Sequence, residues 1–364
     1  MKLRFWHAAA FSVTALFSSH AADAFELKSD PKIAFIYAAT AKDGGWNEAI
    51  DNGREILEAE LGIDVAVAEN IPEEATRLRA AIDLYVKRGF NIIVGTTYGY
   101  SEAMNEAAEA YPDVAFFNAS GVHNSDNMES FYARTYQAWY LAGIAAADGS
   151  EAGKIGMLAG FPVGVVNWDI NGFARGAQSV KPDIETYATF TNSWWDPVRE
   201  GQVAEALLDQ GADVIATDLS AASALKAAEE RGANSIGYQL DMSPSAPEGI
   251  ATSVVFHWDK YLVPRIKSVI DGSWQPEEWG WFGGLETGVI GLAPFGPSVT
   301  QTTKEKIEAA KAAMIVGDLN PFAGPLKTNA DEIKVPEGEI LPDEDLWSMD
   351  FFVEGITGTM PASK

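Results

Sequence analysis

The chain has 364 residues and no cysteine, a length that favours two domains over one core, since single cores rarely grow beyond about 250 to 300 residues. The lack of cysteine excludes structural disulfides, thiol catalysis and lipid attachment through an N-terminal cysteine. The formal net charge of −26 at pH 7, without a basic stripe, repels nucleic acid and anionic lipid, so neither is expected as a partner.

The first residues have the pattern of a secretory signal. Lys2 and Arg4 provide a positive start, residues 8–17 are apolar, and 22–24 read Ala-Asp-Ala, an A-x-A cleavage site. The apolar run is shorter than the roughly 20 residues that span a bilayer. We therefore predict a cleaved signal peptide over 1–24 and a periplasmic protein that is not lipid-anchored.

The mature chain repeats one pattern twice, with short apolar runs alternating with helix-length segments. Continuous apolar runs are typical of strands buried on both faces of a parallel sheet, and the segments between them of crossover helices. Strands are predicted at 32–39, 64–70, 89–97, 112–118, 154–160, 185–192, 211–218, 233–238 and 250–256, and helices at 46–60, 73–88, 101–111, 137–148, 167–179, 197–210, 221–231, 260–271 and 303–316.

Two such units predict an α/β fold with two lobes, each a parallel sheet flanked by helices, and a ligand cleft between them. The predicted lobes are 25–148 and 149–258, followed by crossover and closing elements at 259–321 and a C-terminal tail at 322–364. The lobes are expected to be linked near 148–153, 256–259 and 280–288. The tail is predicted to be an extended surface segment with isolated apolar anchors, namely Leu346, Trp347, Phe351 and Phe352.

Aromatic and polar residues follow several of the predicted strands, where parallel sheets bind ligands. Planar rings beside a few amides and carboxylates suit a flat heteroaromatic ligand that stacks and hydrogen-bonds. Any one of these tryptophans is as readily a packing residue, although Gly44 and Gly45 favour Trp46 as a cleft residue. The candidate binding residues are Trp46, Asn47, Tyr98, Tyr100, Trp195, Asp218, Asp241 and Trp258.

Four segments together resemble the basic membrane protein family of ABC-transporter substrate-binding proteins: 44–47, 192–197, 209–215 and 236–243. The resemblance implies a type I periplasmic-binding fold and a permease partner at the inner membrane. It also implies that Trp46 stacks on the base of a purine ligand, with Asn47 contributing from the same motif. In relatives that bind nucleosides, an aspartate at the position of Asp241 contacts the ribose or the polar edge of the ligand.

One departure from the nucleoside-binding relatives bears on specificity. They tend to carry Lys or Arg after the strand that matches 250–255, whereas this chain has Phe256, His257 and Trp258. The loss of a cation and the added bulk favour a free nucleobase such as adenine, hypoxanthine or guanine. A purine nucleoside and a sugar-like ligand remain alternatives on the same fold.

An enzyme is the rival from another class. The four histidines include two in the predicted signal, and no G-x-S-x-G, P-loop or H-E-x-x-H motif is present. Carboxylate pairs are abundant in so acidic a chain, so a secreted nucleoside hydrolase remains open. The sequence favours a monomeric, non-enzymatic binding protein without cofactor or metal that captures its ligand by lobe closure.

Overall fold

The computed structural model describes residues 25–358 and Met360, and the predicted signal peptide over 1–24 lies outside these residues. The first lobe is built on five strands with three helices between them. They are β1 Ile33–Ile36, α1 Trp46–Leu61, β2 Val65–Ala68, α2 Ala75–Lys87, β3 Ile92–Gly95, α3 Ser101–Ala110, β4 Ala115–Ala119 and β5 Met128–Ala133.

The chain continues through α4 Thr135–Gly149 into the second lobe. Its elements alternate as they do in the first lobe, which confirms the predicted α/β class. They are β6 Lys154–Ala159, α5 Gly164–Val180, β7 Glu185–Phe190, α6 Pro197–Asp209, β8 Val214–Thr217, α7 Ser223–Glu230, β9 Asn234–Gln239 and β10 Ile250–Phe256.

The remaining elements complete both lobes and form the C-terminal segment. They are α8 Asp259–Asp271, β11 Trp281–Gly283, β12 Ile290–Leu292, α9 Gln301–Ile315, β13 Leu326–Lys327, β14 Ile333–Val335, α10 Asp343–Trp347 and β15 Ile356–Thr357.

The strands form two main sheets, one in each lobe. The order in the first is β11-β5-β4-β3-β1-β2, and in the second β12-β10-β9-β8-β6-β7-β15. All neighbouring pairs are parallel except β10 with β12. Strands β1, β3 and β8 are buried along their whole length, because helices cover both faces of each sheet.

Within the described residues the chain passes between the lobes three times. The first passage follows β5, because α4 packs against α5, α9 and β10 rather than against the first sheet. The second follows β10 and leads to α8, which packs on α1. The third joins β11, which pairs with β5, to β12, which pairs with β10.

The first passage corrects the link predicted near 148–153. Helix α4 is buried on nearly every side, so its sequence lacks the polar face that would have shown its partner. Glycines allow α4 and α5 to touch backbone to backbone: a Cβ at Gly143 would overlap the Phe173 carbonyl, and one at Gly176 would overlap the Tyr140 carbonyl. The helix predicted to end the first lobe therefore packs in the second.

Candidate functional site

The loop before α1 presents Trp46 from the first lobe in a fixed position. Asp43 accepts hydrogen bonds from the backbone N–H groups of Gly45 at 2.9 Å, Asn47 at 3.2 Å and Glu48 at 3.1 Å. These are the groups that a helix N-terminus leaves unpaired, so Asp43 both caps α1 and closes the loop. The Trp46 indole N–H donates to the Thr96 carbonyl at 2.7 Å, which fixes the ring over the end of β3.

Aromatic rings from both lobes meet at Trp46. Its ring centroid lies 6.0 Å from Tyr132 on β5, 5.5 Å from Phe256 at the end of β10 and 5.9 Å from Trp258. Phe256 and Trp258 stack on each other at 4.8 Å with an interplanar angle of 11°. Trp46 is half-buried whereas Trp258 is fully buried, so Trp258 forms the buried side of the cluster and Trp46 its more accessible side.

Two buried carboxyl groups lie beside this aromatic cluster. Asp169 on α5 is 1 % exposed and Asp218, directly after β8, is 5 % exposed. Asp169 accepts hydrogen bonds from the Thr135 hydroxyl at 2.5 Å and the Tyr238 hydroxyl at 3.5 Å. Burial raises the pKa of both carboxyl groups well above their usual range, and the charge of Asp218 raises the pKa of Asp169 further.

The pair lacks a cationic partner. Within residues 25–358 no Lys or Arg forms an ion pair with Asp169 or Asp218, and no described group donates a hydrogen bond to the Asp218 carboxylate. Burial also raises the pKa of Tyr132 and Tyr238 well above their usual range, and both acids add to the effect. The site thus combines rings with acceptors whose hydrogen-bonding capacity the protein leaves unfilled.

The lobes touch directly next to this site. Gly45 of the first lobe lies so close to Ser220 and Gln239 of the second that an added Cβ would overlap both. The Ser220 hydroxyl donates to the Gln239 side-chain oxygen at 2.7 Å. The lobes are therefore closed in this structure, with Gly45 at the contact.

Other features of the described residues lie elsewhere. Two cavities of about 620 and 350 Å³ open on the second lobe, one along α6 and one at the edge of β7, and neither is lined by the residues above. No three His, Asp or Glu side chains in the described part of the chain are grouped as a metal site. Across the same residues, every helix is too short or too polar to cross a bilayer.

Comparison with known proteins identifies the family. The model of the Bmp family, described as ABC transporter substrate-binding protein PnrA-like, matches residues 30–317. The chain belongs to this family. It is thus a substrate-binding component of an ABC transporter, which binds a small molecule and works with a membrane permease. The family is one of binding proteins rather than enzymes.

Two relatives match almost the whole of this substrate-binding protein. A purine-binding protein of Brucella abortus is 35 % identical, over 91 % of this chain and 94 % of its own. A putative ABC transporter glucose-binding protein of Haloferax volcanii is 32 % identical, over 90 % of this chain and 81 % of its own. Both agree with the family resemblance of the four sequence segments, which is confirmed.

Solved structures confirm the type I periplasmic-binding fold. A transcriptional activator of the comK gene from Bacillus halodurans aligns with a TM-score of 0.72 and 24 % identity, covering 80 % of this chain and 99 % of its own. An ABC transporter solute-binding protein of Conexibacter woesei aligns with a TM-score of 0.68 and 21 % identity, covering 80 % and 98 %.

The structure brings three of the predicted site residues of this binding protein together. Trp46, Trp258 and Asp218 all lie at the aromatic and carboxyl cluster. Asn47 is adjacent, but its amide is occupied within the lobe: it donates to Asp43 at 2.8 Å and accepts from the Thr96 hydroxyl at 3.3 Å. Ligand contact by these residues stays a prediction.

Two predicted residues lie away from the cluster. Tyr100 is fully buried in the core that faces α2 and α3, and its hydroxyl donates to the Ile71 carbonyl. Asp241 is exposed and accepts from the Ser243 backbone N–H at 3.0 Å. Strand β9 ends at Gln239, one residue beyond the predicted end at 238. Gln239 takes the buried position at the strand end, and Asp241 lies in the turn that follows.

The last two predicted residues are at the surface. Tyr98 is 65 % exposed and Trp195 is 63 % exposed. Both follow strands at the carboxyl ends of the sheets, as expected, but neither belongs to the cluster around Trp46. Both side chains face solvent in this structure.

Sequence reasoning missed three residues that the structure places at the site: Tyr132, Asp169 and Tyr238. Asp169 carried a signal, because it is the one acidic residue of helix α5 and its neighbours on both sides, Trp168 and Ile170, are apolar. A buried acid on a helix needs a partner or a function. Tyr132 and Tyr238 lie within strands and gave no sign of their role.

Proposed function

We propose that this substrate-binding protein captures a purine nucleobase, with adenine as the reference ligand, by closing its two lobes around it. The observation that carries the proposal is the pair of buried carboxyl groups, Asp169 and Asp218, beside the ring of Trp46 where the lobes meet. The purine-binding relative at 35 % identity supports the same ligand class.

The carboxyl pair favours a ligand that donates hydrogen bonds. Two acids buried without a cation repel each other if both are ionised, so the pair retains a proton. One protonated and one ionised carboxyl offer a donor and an acceptor side by side. The edge of adenine offers the complement, since its amino and ring N–H groups donate and its ring nitrogens accept. An aromatic platform such as Trp46 stacks on the planar base.

The packing at Trp258 favours a base over a nucleoside. Phe256 and Trp258 are buried and stacked under Trp46, where nucleoside-binding relatives tend to carry a cation. Bulky side chains at this position disfavour a ribose, and no cation among the described residues is paired with the acids to bind its hydroxyls.

A sugar is the second candidate ligand. The glucose-binding relative at 32 % identity supports it, and tryptophan rings with carboxylate acceptors also suit the apolar faces and hydroxyl groups of sugars. The two candidates differ in hydrogen bonding, because a sugar presents hydroxyl groups around its whole edge and a base presents N–H groups in one plane.

Cellular context completes the proposal. A signal peptide over 1–24 would direct the protein to the periplasm, where a monomer with closed lobes would present its ligand to the permease. An N-terminal sequence of the secreted protein that starts near Phe25 would support this location.

The bound compound itself provides the test. The protein is purified from its own secretion compartment without added ligand and unfolded, and the released small molecules are identified by mass spectrometry. The Asp218→Asn variant, treated in parallel, controls for carry-over from the medium. We expect a purine base from the wild type and much less from the variant. A hexose, or a nucleoside released intact, would overturn the nucleobase proposal, and a nucleoside cleaved to base and sugar would indicate a hydrolase.

A further inference from the structure

The C-terminal segment 322–358, here called the strap, lies beyond the family match that ends at residue 317. It is fastened to the second lobe along α5 and β7. Strand β15 pairs with β7, and the buried amide of Asn171 donates to the Phe351 carbonyl at 2.8 Å and accepts from the Val353 N–H at 2.9 Å. The Asn167 amide donates to the Met349 carbonyl at 2.7 Å.

The other end of the strap reaches the passages between the lobes. The Asp343 carboxylate at the start of α10 binds both terminal nitrogens of Arg134, at 2.7 and 2.6 Å. Arg134 lies between β5 and α4, on the first passage. Its Nε donates to the Phe282 carbonyl on β11 at 3.1 Å, and its guanidinium lies 4.1 Å from the Phe282 ring centroid. The strap thus joins α5 and β7 of the second lobe to two of the three passages.

Trp347, at the end of α10, joins the strap to the aromatic cluster. Its ring centroid lies 6.0 Å from Tyr132, 5.1 Å from Trp168 and 5.1 Å from Phe282. Tyr132 also contacts Trp46, and the Trp168 indole N–H donates at 2.8 Å to Thr135, whose hydroxyl binds Asp169. Trp347 therefore contacts both parts of the site indirectly. It packs on Tyr132, which contacts the Trp46 ring, and on Trp168, which is linked through Thr135 to Asp169.

Close packing shows that Trp347 is held firmly. A Cβ at Gly164, the first residue of α5, would overlap the Trp347 carbonyl, so the backbones of α10 and α5 are in direct contact. Leu346 and Met349, on either side, are buried. The bidentate pair of Asp343 with Arg134 is partly exposed and adds orientation more than energy.

We infer that Trp347 is a positioning residue for ligand binding, which holds Tyr132 and Trp168 in place, and that the Asp343–Arg134 pair keeps the strap docked across the passages. The inference rests on the proposed function, because the site that Trp347 supports is the one assigned to the purine base. Opening of the lobes moves the first sheet relative to α5 and β7, so the strap contacts at Arg134 and Phe282 favour the closed arrangement.

Four full-length variants test the inference. Trp347→Ala removes the ring and Trp347→Phe retains an aromatic group, while Asp343→Asn weakens the ion pair. Asp345→Asn, an exposed acid on the same helix, is the matched control. We expect Trp347→Ala to weaken adenine binding about tenfold or more, Trp347→Phe to restore most of it, and Asp343→Asn to weaken it by about twofold to fivefold. The control should bind like the wild type.

A measurement without ligand separates this inference from the proposed function. Hydrogen exchange of the ligand-free protein should be faster at the amides of β5 and of the start of α4 in Trp347→Ala, and at wild-type rates in Asp345→Asn. If the wild type fails to bind adenine, the proposed function falls while faster exchange in Trp347→Ala still supports the role of the strap. Wild-type exchange at β5 together with wild-type affinity in Trp347→Ala would overturn the inference.

Discussion

The two lobes contribute to the cleft in different ways. In the first lobe the polar groups near the site are already paired: Asp43 accepts from three backbone N–H groups, and the Trp46 indole donates to Thr96. In the second lobe Asp218 accepts no hydrogen bond from the described residues, and Asp169 accepts from the neutral hydroxyl groups of Thr135 and Tyr238 without a cationic partner in the described part of the chain. The first lobe therefore provides a rigid apolar platform, and the second provides acceptors that a ligand must complete.

The largest effect is expected in the second lobe. Asp218→Asn should weaken adenine binding by about 1.5 to 3 kcal/mol, the usual size of a hydrogen bond to a charged group. Titration calorimetry measures this. Asp241→Asn is the matched control, because Asp241 is exposed and serves only its own turn. A larger loss of affinity in Asp241→Asn than in Asp218→Asn would support Asp241 as the ligand contact, as the sequence predicted.

Asp218→Asn should also change how the stability of the folded protein depends on pH. A folded state with raised carboxyl pKa values binds more protons than the unfolded chain, so its stability falls as the pH rises through those values. We expect the Tm of the ligand-free wild type to fall as the pH rises above the ordinary range of a carboxyl group, and to fall less in Asp218→Asn, which lacks one of the two buried acids. If the Tm of the two proteins changed equally with pH, the result would contradict the absence of a cationic partner for the two acids.

The next effect is in the first lobe. Trp46→Ala should weaken adenine binding by about 1 to 3 kcal/mol, because the stacking face is lost. Trp46→Phe should recover most of the affinity. Trp279→Ala, at a ring that is 86 % exposed, is the control and should bind normally. An unchanged affinity in Trp46→Ala would show that the ring serves only packing.

A smaller effect is expected where the lobes touch. Gly45→Ala places a methyl group against Ser220 and Gln239, and overpacking of this kind costs about 1 to 3 kcal/mol, here only in the closed arrangement. Small-angle scattering should show a larger ligand-free radius of gyration than in the wild type. Gly201→Ala in α6, where the nearest atom to an added Cβ is 3.7 Å away, is the control. Equal radii of gyration for the wild type, Gly45→Ala and Gly201→Ala would contradict the contact between the lobes at Gly45.

The smallest effect is expected at the surface residue Trp195. Exposed side chains away from a site usually change free energies by less than about 0.5 kcal/mol, and Trp195 is 63 % exposed. Trp195→Ala should therefore alter adenine affinity and Tm little. A loss comparable to that of Trp46→Ala would show that Trp195 contacts the ligand despite its exposure in this structure.

The sequence predicts the sheets well because their strands are continuous apolar runs. Residues Ile92–Gly95 and Val214–Thr217 are fully buried as expected. The place of Trp46 was also predictable, since a Gly-Gly turn before a helix leaves few positions for the ring. Periodicity could not assign α4 to a lobe, because an apolar helix buried on nearly every side fits either one.

The polar half of the site was less predictable. The end of β9 was predicted to within one residue, but Asp241 was expected to face the cleft from just beyond it. The direction of a side chain in the turn after a strand is not set by the strand pattern, and Asp241 is exposed there. Tyr100 was assigned by its distance from β3, but a turn sets the direction of a side chain and placed it in the core. The tail was expected to be an extended surface segment with apolar anchors, and two of those anchors, Leu346 and Phe352, are buried. The partners of Trp347 near the passages could not be predicted, because they depend on the fold as a whole.

The central claim is that the cleft is built for a purine base. Titration of the wild-type protein with adenine, adenosine and glucose under one set of conditions tests it most directly. We predict that adenine binds at least about tenfold more tightly than adenosine, a difference of about 1.4 kcal/mol, and that glucose does not compete. Adenosine binding as tightly as adenine, or glucose binding in place of both, would contradict the account.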